Sequence, residues 1–388
     1  MPVIAAISEA LEAHVQAGDT VGCVAVVADH HGTLHQSAHG LRAAGGAQPM
    51  TLDSVFQIAS MTKAIGCAAL MRLVEQGRCS LDDDAGALLP DLGALPVLDG
   101  FDGDTPRFRP RRRPVTLGQL ASHTAGLGYE MWNADQLRLL AQRGVKRRDA
   151  GRAGLANFPF LREPGERWEY SVAIDWIGIA IEEIAGEPIR EFLAREILGP
   201  LGMTSTDVTL TEAMRPRLVS NHRPGEDGRL APAPGIGEYP DGFFAMGGCM
   251  SGTAPDYARF ARMILRDGEL DGVRVFAPET VRAMSASIIG DLRVRNLPSA
   301  LPMLTAPLEI FPGVEKTHTP LFMRVEQDVP GMRRAGTLFW AGLFNTHYWI
   351  DPASGLAAVL MMQQSPFLSP PARAAFESFE RAVYRELS

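Results

Sequence analysis

A serine and a lysine three residues apart, Ser60-Met61-Thr62-Lys63, follow the apolar run Val55-Phe56-Gln57-Ile58-Ala59 and open a stretch of helical periodicity from Ser60 to Gln76. On a helix such a pair shares one face, with Cβ atoms about 5–6 Å apart, so the Lys63 amine can reach the Ser60 hydroxyl. A serine hydroxyl is a weak nucleophile until a base takes its proton. Lys63 is that base only when neutral, and at an ordinary lysine pKa of about 10.4 neutrality at pH 7 costs roughly 4–5 kcal/mol. Burial and the positive end of the helix both reduce that cost. The same helix end puts the Ser60 backbone N–H where an acyl oxyanion would form, so one position offers a nucleophile and half of an oxyanion hole.

The spacing alone is common, but further clusters accompany it. Glu169-Tyr170-Ser171 follows a Pro164-Gly165 turn, and Phe339-Trp340-Ala341-Gly342-Leu343 lies in a strand-like run ending at Asp351-Pro352. Ser122-His123-Thr124-Ala125-Gly126-Leu127 comes after a Thr116 to Gln119 capping box, and Gly247-Gly248-Cys249-Met250 precedes Thr253-Ala254-Pro255-Asp256. In this order, and through most of the chain, the sequence resembles the serine β-lactamase and penicillin-binding-protein superfamily, nearest to the class C-like family VIII carboxylesterases. The resemblance implies Ser60 as nucleophile, with Lys63 and Tyr170 as general base and acid. Tyr170 would pass protons to the leaving group and activate the deacylating water, and Leu343 would add the second oxyanion N–H beside that of Ser60. It implies no metal or cofactor.

Two departures from the lactamase pattern bear on the substrate. Val172 stands where a Y-x-N motif has asparagine, and Trp340 where K-[ST]-G has lysine. An asparagine amide bonds a substrate amide and a lysine pairs with a carboxylate; valine and indole do neither. The site is therefore less suited to an anionic β-lactam, and Trp340-Ala341-Gly342 resembles the W-[GA]-G pattern of the esterase family, which implies an uncharged ester as substrate. Trp340, Ala341, Gly342, Tyr129 and Asp175 are the expected substrate-binding residues; Trp132 and Tyr239 are candidate pocket aromatics that, like Tyr129, also read as ordinary packing residues. Asp175, one turn past Tyr170, either tunes the lysine and tyrosine charges or is an exposed helix carboxylate. Lys316-Thr317-His318 approaches K-T-G but is expected in a loop, because Pro320 follows, and His123 is expected to fix a turn rather than act as a base. No serine has glycines at both ±2, which excludes the nucleophile elbow of α/β-hydrolases.

The elements that must position these groups are legible in outline. Val21 to Asp29 and Thr33 to His39 read as a hairpin about His30, His31 and Gly32; further strands fall around 338–350 and 356–362. Amphipathic helices are expected at the start of the chain, at Pro255 to Leu265 and at Pro371 to Leu387, and helical signals at Ala134 to Gln142 and Ile174 to Ile184 dominate the middle. The fold class is α/β (α+β): a β-lactamase-like antiparallel sheet flanked by helices, with an inserted, mostly helical domain. The sheet domain is expected over 1–80 and 218–388, carrying the Ser-x-x-Lys helix and the Trp-Ala-Gly strand, and the insert over 81–217, carrying Tyr170. Residues 285–335, with six prolines, should form loops that make a lid or wall of the cleft, and Arg107, Arg109, Arg111, Arg112 and Arg113 a solvated basic loop.

Composition limits the partners. With 46% hydrophobic and 21% charged residues in 388, the chain is globular rather than disordered or fibrous. Lys and Arg number 37 against 45 Asp and Glu, a net −8 that argues against nucleic acid. Cys23, Cys67, Cys79 and Cys249 lack metal spacing and read as buried thiols, and His30, His31, His35 and His39 read as turn and strand-face residues. No run approaches the eighteen or so apolar residues of a membrane span, and the first helix lacks a signal peptide's basic and apolar regions, so a cytoplasmic location is expected. The expected partner is a small-molecule ester, with no nucleic acid or membrane and the oligomeric state left open. An amide (β-lactam, D-amino-acid peptide, linear amide), acyl transfer to an alcohol, and a sensor that acylates once are the competing readings of the same residues.

Overall fold

Apolar strands from the two ends of the chain meet in one sheet. The computed structural model describes residues 3–145, 147–237 and 242–387. Its seven-stranded sheet comprises β1 (Gly22–Ala28), β2 (Thr33–Gly40), β3 (Lys316–His318), β4 (Met323–Val325), β5 (Leu338–Gly342), β6 (Thr346–Asp351) and β7 (Leu356–Met361), in the order β3-β4-β5-β6-β7-β1-β2. Every neighbouring pair is antiparallel.

Both faces are covered, and the two-residue period of a strand distributes the side chains between them. On β6, His347 stacks on Phe376 and Trp349 meets Phe379, both from the C-terminal helix Pro370–Leu387, whereas Tyr348 between them meets Tyr257 of the helix Ala254–Leu265. Trp340 is paired with Tyr348 and so shares the Tyr257 side of the sheet. The N-terminal helix Ala5–Ala17 packs against the C-terminal one. A fully buried ion pair, Arg333 to Glu380 at 2.7 Å, ties that helix to the chain leading into β5, and the guanidinium lies 4.6 Å from the Phe311 ring and 4.7 Å from that of Phe339.

On the Tyr257 side runs the helix Thr62–Glu75, buried along most of its length, with a 3-10 turn Ala59–Met61 before it. It packs on the helix Ala173–Ala185. Small residues allow the approach: a Cβ on Gly178 would stand 2.6 Å from Met246 Cγ, and one on Gly66 3.0 Å from Met246 Cε. Met246 is thus wedged between the two helices, and the chain beyond it is delivered to the N-terminal end of the Ser60 helix.

Several expectations are corrected. The basic stretch is not a loop throughout: Val97–Asp102 pairs with Thr105–Arg109, so Arg107 and Arg109 sit in a strand, and Arg109 bonds Glu163. The run from Leu338 to Ile350 is two strands joined by a tight turn, with Asn345 at φ 60°. Lys316–His318 is the edge strand β3 rather than loop. Of the cysteines, Cys23 and Cys67 are buried but Cys79 and Cys249 only partly so. Tyr239 lies outside the described residues. Among the described residues no helix is long and apolar enough to cross a membrane.

Candidate active site

Ser60 sits on a turn pinned from several directions. Phe56–Gln57 pairs with Ser251–Gly252, Ile58 N–H donates to Met250 O at 3.0 Å, Met250 N–H to Thr62 Oγ1 at 3.1 Å, and Tyr257 Oη to Met61 O at 3.0 Å. Ala59, immediately before the nucleophile, has φ 44°, a left-handed conformation that costs a non-glycine residue on the order of 1–3 kcal/mol and persists only where the surroundings impose it. The hydroxyl is thereby held at the mouth of the helix by contacts on both sides.

The Lys63 side chain is buried, and its Nζ donates to Gly247 O at 2.6 Å, to Tyr129 Oη at 3.1 Å and to Ser60 Oγ at 3.2 Å. Ser60 Oγ also lies 3.5 Å from Gly247 O. Gly247 is itself fixed: its N–H donates to Asp175 Oδ1 at 2.6 Å, and a Cβ there would stand 2.6 Å from Asp175 Oδ1 and 2.9 Å from Tyr129 Oη. Asp175 is buried, which settles its two sequence readings against an exposed helix carboxylate. Expected as a substrate-binding residue, it is absent from the described lining of the pocket over Ser60 and instead reaches the lysine through the backbone of Gly247.

Tyr129, expected only as a pocket aromatic, proves to be a hydrogen-bond partner of Lys63. The sequence signal was its place two residues after the Ser122 to Leu127 motif. Tyr170 stands beside the same lysine, whose Nζ is 4.7 Å from the Tyr170 ring centre. The Tyr170 oxygen accepts a 2.9 Å hydrogen bond from Trp340 Nε1. Rings of Tyr129, Trp132 and Trp340 surround Tyr170 at 5.3, 5.5 and 4.8 Å.

His123 completes the enclosure of Tyr170, its ring 4.6 Å away. Its backbone is left-handed, φ 58°, as suits a turn. Its Nδ1 accepts from Ser171 N–H at 3.3 Å, and its carbonyl accepts from Glu169 N–H at 2.9 Å, so this histidine fixes the 169–171 segment. Desolvation, with His318 and Lys63 nearby, holds its pKa well below 6.5. His318, whose ring is 5.3 Å from that of His123, is lowered by burial to about 4. Lys316 of the same strand turns elsewhere, donating to Phe311 O at 3.1 Å and Val314 O at 2.6 Å, so it does not replace the missing K-T-G lysine.

A pocket enclosing about 480 Å³ of atom-free space, partly open to solvent, opens over Ser60. Ala341, Gly342, Leu343 and Trp340 form one wall, Tyr129, Trp132 and Tyr170 another, and Met131, Ile236 and Phe367 add apolar surface. Gly342 is required by proximity, since a Cβ would lie 2.3 Å from Ile58 O. That contact brings the start of the Leu343 turn beside the Ser60 segment. The described lining residues carry no formal charge. Val172, in the position of the absent asparagine, is buried.

A β-lactamase family model matches residues 7–381, so the chain belongs to that family. It is similar to lovastatin esterase of Penicillium rubens, 30% identical and covering 91% of each chain. It is also similar to monacolin J acid methylbutanoyltransferase of Aspergillus terreus, 28% identical over 87% of this chain and 84% of the relative. Among solved structures, the LovD6 mutant of the Aspergillus terreus simvastatin synthase superposes with a TM-score of 0.83 at 25% identity, covering 98% of this chain and 94% of the other. These relatives place the chain among serine hydrolases and acyltransferases of β-lactamase fold.

Proposed function

We propose that this member of the β-lactamase family is a cytoplasmic carboxylesterase of the family VIII type, which hydrolyses uncharged esters of short to medium acyl chains through an acyl-enzyme on Ser60. The observation that carries the reading is the position of Lys63 Nζ, within hydrogen-bond distance of both Ser60 Oγ and Tyr129 Oη under a pocket without formal charge. Neutral Lys63 keeps two N–H groups for Gly247 O and Tyr129 Oη and turns its lone pair to the Ser60 O–H. It takes that proton as Oγ attacks the ester carbonyl. The carbonyl oxygen becomes an oxyanion facing the backbone N–H groups of Ser60 and Leu343. Collapse expels the alkoxide, which receives a proton from Tyr170; Lys63 re-protonates Tyr170, and water repeats the sequence on the acyl-enzyme.

Trp340 supports the substrate class. Its indole N–H keeps a donor on Tyr170 Oη but supplies no cation to a substrate carboxylate. Acyl transfer to an alcohol is the second reading, favoured by the apolar, aromatic pocket and by the methylbutanoyltransferase relative. Adding methanol or butanol to a p-nitrophenyl butyrate assay distinguishes the two. Formation of the new ester at less than a tenth of the hydrolysis rate supports the esterase, and ester as the main product supports the transferase.

A further inference from the structure

Three residues before the nucleophile, the Gln57 side chain grips the backbone of Ile236. Its Nε2 donates to Ile236 O at 2.6 Å while its Oε1 accepts from Ile236 N–H at 2.9 Å, so the amide acts as a one-residue strand partner. A Cβ on the neighbouring Gly235 would stand 2.1 Å from Gln57 Oε1, so a larger residue there would push the amide out of this grip. Gln57 is held in turn by its own N–H, which donates to Gln363 Oε1 at 3.0 Å. The grip fixes Ile236 against the short strand that leads into Ser60.

Ile236 stands between two cavities. One is the 480 Å³ pocket over Ser60; the other encloses about 1350 Å³, partly open, with Val208, Leu210, Leu218, Phe243 and Phe244 on its walls and Arg215 as a charged group among them. Among the described lining residues, Ile236 alone belongs to both. We infer that Ile236, clamped by Gln57, is the wall that sets the upper limit of acyl-chain length, with the apolar part of the larger cavity beyond it able to take the distal part of a long chain. The inference rests on the esterase reading. The acyl side is assigned because the departing oxygen belongs at Tyr170, whereas Ile236 is tethered to the strand that leads into Ser60, where the carbonyl carbon is held.

The test compares kcat/KM for p-nitrophenyl butyrate and p-nitrophenyl decanoate in wild type, Ile236→Ala and Gln57→Leu. The decanoate-to-butyrate ratio should rise about tenfold or more in both variants, since a newly admitted chain buries several methylenes. A ratio within about twofold of wild type in both overturns the inference, as does a change seen instead along a series of alkyl acetates differing only in the alcohol. A readout without turnover separates this from failure of the esterase reading. In a Ser60→Ala background, calorimetric binding of decanamide should tighten roughly fivefold when Ile236→Ala is added. Unchanged binding overturns the wall whatever the hydrolysis data say. If activity persists in Ser60→Ala, the esterase mechanism fails and the binding comparison still decides the wall.

Discussion

Trp340 donates its indole N–H to the phenolic oxygen of Tyr170 across 2.9 Å, joining the third strand of the sheet order to the segment that carries the proposed proton shuttle. A hydrogen bond to a group that bears charge during the reaction contributes about 1.5–3 kcal/mol. Trp340→Phe keeps a ring and removes the donor. kcat/KM for p-nitrophenyl butyrate should fall by about ten- to a hundredfold with the circular dichroism spectrum unchanged. A loss under about twofold would make Trp340 a packing residue.

Tyr129 touches the lysine through its hydroxyl, so Tyr129→Phe separates ring from proton network. The expected result is a kcat roughly tenfold lower with KM within about twofold, because the pocket wall is retained. Tyr170→Phe should cost more, by about another tenfold, since it removes the group assigned to the leaving oxygen. Equal effects would mean that the two hydroxyls share one task.

Asp175 acts through Gly247. Removing its carboxylate leaves the buried Gly247 N–H without an acceptor, a penalty of about 1–3 kcal/mol, and frees the carbonyl that holds Lys63. Asp175→Ala should therefore lower both thermal stability and kcat, while Asp175→Asn, which keeps an oxygen acceptor, should recover most of the stability. Failure of asparagine to do so in a melting experiment would assign the effect to the negative charge.

Buried imidazoles make the fold acid-sensitive. Desolvation lowers His318 to about 4 and His347 to about 3 from an ordinary 6.5. With the folded pKa below the unfolded one, the unfolded chain binds more protons in that interval, so stability is full above about pH 6.5 and falls as pH drops towards 4. Each imidazole contributes a slope of up to about 1.4 kcal/mol per pH unit. Urea unfolding between pH 4.5 and 7 should show this slope, and His318→Gln should flatten it. An unaltered slope in that variant contradicts the assignment.

The Arg333 to Glu380 pair is fully buried, so breaking one side leaves an uncompensated charge. Glu380→Ala should cost about 3–5 kcal/mol of unfolding free energy, and the double change Arg333→Met with Glu380→Leu should recover most of it. Chemical denaturation of the three proteins measures both effects.

The elements of strong periodicity are legible in the sequence itself. The β1–β2 hairpin, the helix after Ser60 and the Thr116 capping box all follow from local side-chain pattern and chemistry. What depends on distant partners is not. The strand Thr105–Arg109 is mostly exposed and carries little apolar alternation, although the two residues Gly103-Asp104 between the strands are a usable hairpin signal. β3 has only three residues, too few for a period to show. In the site, motif order placed Ser60, Lys63 and Tyr170 together, but the lysine's partners Gly247 O and Tyr129 Oη come from segments 184 and 66 residues away. A backbone carbonyl leaves no mark in side-chain spacing, so although Gly247 stands in a motif of the sequence, its part as the lysine's acceptor shows only in the folded chain.

The account depends most on Ser60 as the nucleophile of an enzyme that prefers esters. Steady-state hydrolysis of p-nitrophenyl butyrate and of a chromogenic cephalosporin, measured side by side in wild type and Ser60→Ala, tests both halves at once. The ester should exceed the cephalosporin by about a hundredfold in kcat/KM, and Ser60→Ala should abolish both activities. Full ester hydrolysis by Ser60→Ala would contradict the mechanism, and a cephalosporin preferred over the ester would contradict the substrate class assigned from Trp340.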